Sequence, residues 1–178
     1  MTERLYEIVP AQPEDAYAIQ IVRAEGWYEQ YGSLPGIDAA WIDGQISRIK
    51  SAASVGKRAK AIAESSNPDA RDFCRVARLA LGNKIVGFVD ARKLDDGGQE
   101  VHSIHIADGY RGQGIGQALM DAAHMWFDPR QPAFLDVAQG NHRAQAFYKR
   151  KSNKYTPAGY IYNFEQLGMM RMERRAHA

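Results

Sequence analysis

Three glycines at alternate positions, in residues 110–117 (YRGQGIGQ), constrain the fold of this chain more than any other feature. A run with strand character, residues 100–107, comes before them, and a run with helix character, residues 114–127, follows. Glycine has no Cβ, so the backbone can turn tightly here and come close to a ligand. The first N–H groups of a helix have no partner inside it, so this strand–loop–helix unit predicts a site for phosphate or pyrophosphate.

The spacing excludes two common phosphate-binding loops. A nucleotide P-loop ends in Gly-Lys-Ser/Thr, whereas Gly116 is followed by Gln117 and Ala118. A dinucleotide fingerprint needs a last glycine or alanine where this chain has Gln117 or Leu119. A glycine turn without any ligand stays open as an interpretation, but the charge of Arg111 beside the loop favours an anion site.

Composition limits the class of protein. The 178 residues suit one domain, residues 1–178, and the net charge of +2 excludes a protein that coats duplex nucleic acid through strong positive charge. No apolar run approaches the roughly 18 residues of a membrane helix, and the N-terminus has no signal-peptide core. The single cysteine, Cys74, excludes an internal disulfide, and we do not expect it to be a nucleophile. We therefore expect a cytoplasmic protein without nucleic-acid or membrane partners.

The hydrophobic pattern predicts an α+β fold with a mixed, mainly antiparallel sheet, a parallel central pair and helices on both faces. A helix from about residue 38 has Ile42, Ile46, Ile49 and Ala53 on one face. The predicted strands span residues 5–9, 73–81, 85–91, 100–107, 133–138, 160–164 and 169–173. The other predicted helices start at about Pro13 or span residues 114–127 and 141–151.

Two motifs in this order resemble those of the GNAT superfamily of N-acetyltransferases. The first, Arg111-x-x-Gly114-x-Gly116, is similar to the acyl-CoA-binding motif of that family. The second is a strand followed by Asn141-x-x-Ala144-x-x-Phe147-Tyr148. The resemblance implies a GNAT-like α/β/α fold with acetyl-CoA as cofactor. It also implies direct transfer of an acetyl group, in a ternary complex, to a primary amine of a small molecule or peptide.

The resemblance also implies roles for individual residues. Tyr148 is the expected general acid toward the CoA sulfur, because a phenol remains protonated at neutral pH. One departure from the family is that residues 149–155 stand where a Gly-Phe pair usually follows the second helix. The expected cofactor-binding residues are Ile104, His105, Ile106, Arg111, Gly112, Gln113, Gly114, Ile115, Gly116, Gln117, Asn141, Ala144, Tyr148 and Arg150.

The general base is predicted on the strand before the glycine loop. Alternation places Glu100, His102, Ile104 and Ile106 on one face. Glu100 could act through a water molecule, and an imidazole such as that of His102 titrates near pH 6.5. His105 falls on the opposite face, so the two histidines make a poor metal pair and we expect no metal.

The acceptor site is expected near the first two helices, where Trp27, Tyr28 and Tyr31 are candidates for substrate binding. Ordinary core packing would also explain this aromatic group. Three alternatives in function stay open: an acyl-CoA sensor with little catalysis, an O-acyltransferase and a longer-chain acyltransferase. A homodimer also stays open, because a partner subunit could help to choose the acceptor.

Overall fold

The computed structural model of the protein describes residues 5–67 and 69–176. Its strands form one mixed sheet in the order β1-β2-β3-β4-β5-β7-β6, in which only the β4–β5 pair is parallel. The strands are β1 (Tyr6–Pro10), β2 (Asp72–Leu79), β3 (Ile85–Lys93), β4 (Gln99–Ile106), β5 (Ala133–Ala138), β6 (Thr156–Phe164) and β7 (Leu167–Arg174). The predicted sheet is therefore confirmed, with β6 and β7 longer than expected.

Helices cover both faces of the sheet, as predicted. They are α1 (Ala16–Tyr31), α2 (Ala39–Lys50), α3 (Ala52–Ser65), α4 (Ile115–Trp126) and α5 (His142–Tyr148). On one face, Leu119 of α4 packs into a core with Val86 and Val101. On the other face, Ile19 of α1 and Ile62 of α3 bury Phe88.

The second predicted helix is in fact two helices. Ile42 and Ile49 are buried on α2 as the pattern predicts, but the helix ends at Lys50. Ser51 has an extended conformation with ψ of 149°, and its hydroxyl accepts a hydrogen bond from the Ser54 backbone N–H at 3.2 Å. The prediction that the helical face continues to Ala53 was wrong, because a serine in this conformation caps the next helix.

The sheet divides in its middle. Strands β4 and β5 pair only at Gln99–Ala133 and Glu100–Phe134, and β5 continues alongside β7 as far as Ala138. Beyond Glu100, the described residues contain no strand that pairs with β4 on its β5 side. A cleft opens where the two strands separate.

A β-bulge at His102 changes the faces of β4. Asp90 pairs with Ser103 and Ala91 pairs with Val101, which leaves His102 as an extra residue. Val101 and Ile104 consequently both face the core under α4, although their spacing is odd. The prediction that Glu100 shares a face with Ile104 and Ile106 was wrong, because simple alternation does not hold across a bulge.

Candidate active site

The cleft between β4 and β5 has a volume of about 880 Å³ and brings most of the predicted site residues together. Three predicted residues do not line it: Tyr28, Gln113 and Ile115. The predicted residues that do are Trp27, Tyr31, Glu100, His102, Ile104, His105, Ile106, Arg111, Gly112, Gly114, Gly116, Gln117, Asn141, Ala144, Tyr148 and Arg150. We call the part formed by the glycine loop and α5 the cofactor half. The part formed by α1, the end of β3, the start of β4, β5, β6 and β7 is the acceptor half.

The glycine loop has the backbone geometry that its sequence predicts. Gly112 and Gly114 have φ angles of 77° and 83°, in the left-handed region that favours glycine. Gly114 is the N-cap of α4, and no side chain caps the helix there. A Cβ on Gly116 would lie 3.3 Å from Cδ1 of Ile106, so this glycine also lets α4 approach β4. The first turn of α4 therefore offers backbone N–H groups at the cleft.

The two loop residues that do not line the cleft, Gln113 and Ile115, point away from it. Ile115 is 1% exposed and belongs to the core beneath α4. The Gln113 side chain is turned back and donates a hydrogen bond to the Gly109 carbonyl at 3.1 Å. Gln117, which does line the cleft, donates to the buried Asn153 side chain at 2.8 Å. Asn153 in turn donates to the Phe147 carbonyl, so the unusual segment 149–155 ties the end of α5 to α4.

One carboxylate holds two arginines of the cofactor half. Glu29 of α1 forms an ion pair with Arg111 of the loop and a second, at 3.3 Å, with Arg143 of α5. Arg150 also lines the cleft and lies over the Phe147 ring at 5.3 Å. These three guanidinium groups and the α4 N-terminus provide positive charge on one side of the cleft.

A chain of amides connects α5 to β4. Asn141 caps α5 by accepting a hydrogen bond from the Ala144 backbone N–H at 3.1 Å, and its amide reaches Gln30 at 3.4 Å. Gln30 contacts Nδ1 of His105, also at 3.4 Å. Burial lowers the pKa of His105 to about 3, so this imidazole is neutral at physiological pH. His105 therefore lies uncharged in the wall of the cleft.

Close approach of α1 to β4 depends on a glycine. A Cβ on Gly26 would lie 2.3 Å from Nδ1 of His105, which is closer than atoms can pack. His105 stacks on Phe88 with 5.5 Å between ring centroids. This contact holds the cleft-lining face of α1, which carries Trp27 and Tyr31, against the sheet.

Tyr148 lies in the last turn of α5 and is half-buried at the cleft. Its ring packs edge-on against Phe147 and Tyr155, with centroid distances of 5.4 and 6.2 Å. Burial raises the pKa of Tyr148 above the ordinary value, and the neighbouring Tyr31 and Tyr155 raise it further. The phenol consequently keeps its proton at neutral pH.

Glu100 and His102 form a polar group with Arg92 of β3. Arg92 donates to a Glu100 oxygen and, at 3.0 Å, contacts Nδ1 of His102. Burial acts to raise the pKa of Glu100, but hydrogen bonds from His102 and Arg92 outweigh burial and lower it to about 2. Glu100 is therefore a carboxylate across the physiological range and a weak proton acceptor.

Aromatic rings line the acceptor half. Trp27 packs against Tyr31, Trp41 and Phe164, with centroid distances of 5.0, 6.1 and 6.5 Å. Tyr28, on the other side of α1, is 62% exposed and lies outside this group. The structure thus brings Trp27 and Tyr31 to the cleft and leaves Tyr28 at the surface.

The tip of the β6–β7 hairpin closes the aromatic group from outside. Glu165, at this tip, accepts hydrogen bonds from Trp41 and, at 2.9 Å, from Gln45 of α2. Gln166 accepts a hydrogen bond from the Asp38 backbone N–H at 2.9 Å. The hairpin and α2 therefore meet over the acceptor half.

Sequence analysis missed several charged residues of the acceptor half. Arg92 lies opposite Glu100 in the β3–β4 register, and Arg171 lies opposite Asp136 in the β5–β7 register. Arg171 donates to both Asp136 oxygens, at 2.9 and 3.0 Å. Strand pairing could have revealed these two pairs, because opposite charges face each other. The remaining missed residues in this half include Arg23, Phe134 and Tyr162.

The cleft fits the predicted acetyl-CoA. Its cofactor half combines backbone N–H groups at a glycine loop with three arginines, which suits a molecule that carries several phosphates. Within residues 5–67 and 69–176, no three His, Cys, Asp or Glu side chains cluster as a metal site would require. None of the helices described has the length and apolar character of a membrane span.

Comparisons with known proteins agree with this geometry. Residues 48–152 match the family model described as "Acetyltransferase (GNAT) family". A search of the curated proteins finds no significant match.

Several solved structures share the fold. A PaiA N-acetyltransferase from Thermoplasma acidophilum, in complex with coenzyme A, is 16% identical with a TM-score of 0.73 and coverage of 97% of this chain and 99% of that one. A ribosomal-protein-S5-alanine acetyltransferase from Vibrio fischeri is 13% identical, with a TM-score of 0.71 and coverage of 99% and 96%. The apo form of YjaB from Escherichia coli is 15% identical, with a TM-score of 0.63 and coverage of 94% and 96%.

Proposed function

Because the chain belongs to the GNAT family of acetyltransferases, which transfer acyl groups from acetyl-CoA, we propose that it acetylates a primary amine of a small molecule or peptide. Transfer is direct, in a ternary complex of the protein, acetyl-CoA and the amine. The observation that carries the proposal is that Tyr148, Glu100 and His102 line the same cleft as the glycine loop.

Acetyl-CoA supplies the acetyl group as a thioester. The amine nitrogen forms the new N–C bond while the C–S bond breaks, so one proton leaves nitrogen and one reaches sulfur. The Tyr148 hydroxyl is the donor to sulfur, since its raised pKa keeps it protonated and it lines the cleft beside α5. The backbone N–H groups from Gly112 to Gln117, with Arg111, bind the pyrophosphate.

The proton on nitrogen leaves toward the start of β4. An alkylammonium has a pKa of about 10.4, so its neutral form is scarce at pH 7 and a base speeds the reaction. With a pKa of about 2, Glu100 is better suited to hold the ammonium group and orient a water than to keep the proton. The His102 imidazole, 42% exposed at the bulge and beside Glu100, is the proposed proton acceptor.

The bound amine lies against the aromatic group of the acceptor half. Trp27 and Tyr31 form its wall on α1, and Phe164 supports Trp27 from β6. That residues 1–178 form a single catalytic domain stays a prediction, as does a homodimer.

A thiol-release assay with acetyl-CoA tests the proposal. The purified protein is incubated with polyamines, aminoglycosides, amino acids and peptides with free N-termini, and mass spectrometry identifies the acetylated product. We expect thiol release that depends on one class of amine and a product heavier by one acetyl group. Stabilisation by acetyl-CoA in a thermal-shift titration without turnover of any acceptor would instead support a sensor. Acetylation only at hydroxyl groups would support an O-acyltransferase.

A further inference from the structure

One arginine of the acceptor half has no anion. Arg23 of α1 lines the cleft one helical turn before Trp27 and two turns before Tyr31. Its Nε is buried and has no hydrogen-bond partner. In the part of the chain that the structure describes, Arg23 also forms no ion pair. An Nε–H that is removed from water without a partner is unfavourable unless a ligand supplies one.

The carboxylate that interacts electrostatically with Arg23 is already paired with another arginine. Asp90 of β3 accepts from Nη1 of Arg58 with both of its oxygens, each at 2.8 Å. The Arg58 and Asp90 side chains are only 10% and 15% exposed, so this pair is well shielded from solvent. Burial lowers the pKa of Arg23 and repulsion by Arg58 lowers it further, while Asp90 opposes both. Asp90 is therefore occupied by Arg58 and leaves Arg23 without an ion-pair partner.

Neither His105 nor Tyr31 compensates the charge. The His105 imidazole is neutral, because burial lowers its pKa to about 3. The Tyr31 phenol is also neutral, because burial raises its pKa to about 12. The other two arginines of the acceptor half each form an ion pair with a carboxylate: Arg92 pairs with Glu100, and Arg171 pairs with Asp136. This half of the cleft carries a local excess of positive charge at Arg23.

The excess charge lies in the same cleft as the proposed general acid. Arg23 and Tyr31 are two turns apart on α1, and both line the cleft with Tyr148. An anion bound to Arg23 would thus lie in the same cleft as the amine that receives the acetyl group. Guanidinium groups bind carboxylates through two parallel hydrogen bonds, and a carboxylate next to an amine is the arrangement in an amino acid.

We propose that Arg23 binds the carboxylate of the acceptor, which is a free amino acid with an apolar or aromatic side chain. This inference rests on the proposed acetyltransferase function. The amino nitrogen forms the N–C bond as the thioester C–S bond breaks, and the carboxylate stays unchanged on Arg23. The wall formed by Trp27, Tyr31 and Phe164 receives the side chain. Polyamines are poor acceptors because Arg23 repels them.

Matched pairs of amines test the inference. Each pair differs only in the carboxylate: phenylalanine and phenethylamine, tryptophan and tryptamine, and leucine and isoamylamine. We expect kcat/KM to be at least about 10-fold higher for the amino acid of at least one pair, as a charged hydrogen-bonded contact provides. Arg23→Gln should remove this preference by raising KM for the amino acid alone, and Arg23→Lys should restore part of it. Arg48→Gln, at an exposed position of α2, is the matched control.

Three kinetic results would overturn the inference. The first is that, in every pair, the amine without a carboxylate reacts as fast as the amino acid or faster, or that spermidine or a peptide does. The second is an equal fall in kcat for both members of a pair in Arg23→Gln, which would indicate that Arg23 stabilises the reacting carbonyl oxygen. The third is a preference for the amino acid that both Arg23 variants retain.

Binding of the products separates this inference from the proposed function. Isothermal titration calorimetry measures how tightly the CoA-loaded protein binds N-acetylphenylalanine and N-acetylphenethylamine. The corresponding products of the other pairs are measured in the same way. Tighter binding of a carboxylate product that Arg23→Gln abolishes supports the role of Arg23 even if no amine is acetylated. Turnover of amines without any effect of the carboxylate overturns the inference alone. Equal binding within every pair, or no binding, also overturns it. Thermal unfolding of both Arg23 variants checks that they fold.

Discussion

The two halves of the cleft are built from different parts of the chain. The cofactor half comes mainly from residues 110–150, and its loop presents backbone N–H groups. The acceptor half combines side chains that are far apart in sequence, such as Trp27 with Phe164 and Gln45 with Glu165. One half is specified by backbone geometry and the other by tertiary packing of side chains.

This difference explains which half can be read from a sequence. Backbone donors need glycine at fixed spacing, so the loop around Gly112 and Gly114 leaves a short pattern. Side-chain contacts between distant elements need no local spacing. On the proposed assignment, single substitutions in the acceptor half would change the choice of acceptor while the cofactor half keeps its motif.

The largest expected effect is at Tyr148, where the two halves meet. Tyr148→Phe removes the proposed proton donor but keeps the ring that packs on Phe147 and Tyr155. We expect kcat to fall about 10³-fold, within the usual range for loss of general acid–base catalysis, with little change in affinity for acetyl-CoA. Steady-state kinetics and titration with CoA measure the two quantities. Tyr160→Phe, at a 54% exposed tyrosine of β6, is the control. An unchanged kcat would contradict the role of Tyr148.

A smaller loss is expected at the bulge in the acceptor half. His102→Gln should lower kcat/KM for the amine about 10²-fold, because it removes the proposed proton acceptor. Because the pKa of Glu100 is about 2, this carboxylate stays charged and adds no limb to the pH profile of kcat/KM near neutrality. Steady-state kinetics with the amine varied are the measurement, and His142→Gln, at an exposed residue of α5, is the control. A kcat/KM that His102→Gln leaves unchanged would assign the proton transfer to another group.

The glycine loop should affect only the cofactor half. Gly114→Ala places a Cβ on a residue with φ of 83°, at a cost of about 1–2 kcal/mol in conformational free energy. Gly97→Ala, in the β3–β4 turn, is the matched control. It creates the same strain at φ of 85°, and its Cβ would have no atom within 4 Å. We expect similar losses of thermal stability in both variants. Only Gly114→Ala should weaken binding of acetyl-CoA, by about 10-fold. Equal affinities in the two variants would contradict a loop that binds phosphate.

The smallest effect is expected at Glu29. Glu29→Gln releases Arg111 and Arg143 from their shared carboxylate and leaves both free for phosphates. Affinity for acetyl-CoA should rise about 3-fold, because breaking an exposed ion pair changes the free energy by less than about 1 kcal/mol. The gain should shrink at high salt, because salt screens exposed charges. Glu25→Gln, an exposed carboxylate one turn earlier on α1, should leave the affinity unchanged. Reduced affinity in Glu29→Gln would mean that Glu29 supports the loop.

Much of the fold could be predicted from local patterns. The alternation of apolar and polar residues in the strands and the amphipathic pattern of α4 predicted the mixed sheet with its parallel β4–β5 pair. Sequence analysis missed the break between α2 and α3, because Ser51 separates the two helices and caps α3 without a glycine or proline to mark the break. The bulge at His102 also escaped, because an extra strand residue appears only when β4 is paired with β3.

The candidate site shows the same division. The glycine spacing and the Asn141–Tyr148 signature indicated the cofactor half, whereas Gln113 and Ile115 turned out to point away from the cleft. Arg23 left no signal, because its importance depends on Asp90 being paired with Arg58 from another helix. Such competition for one carboxylate exists only in three dimensions.

The separation of β4 from β5 after Glu100 links the lifetime of the protein to its cofactor. A ligand that occupies this gap binds the native chain and has no comparable site on the unfolded chain. The free energy of unfolding then rises by about 1.4 kcal/mol for each tenfold excess of ligand over its Kd. Depletion of acetyl-CoA would therefore slow turnover and, at the same time, expose more of the population to proteolysis. The abundance of the protein would follow the acetyl-CoA supply without any dedicated regulator.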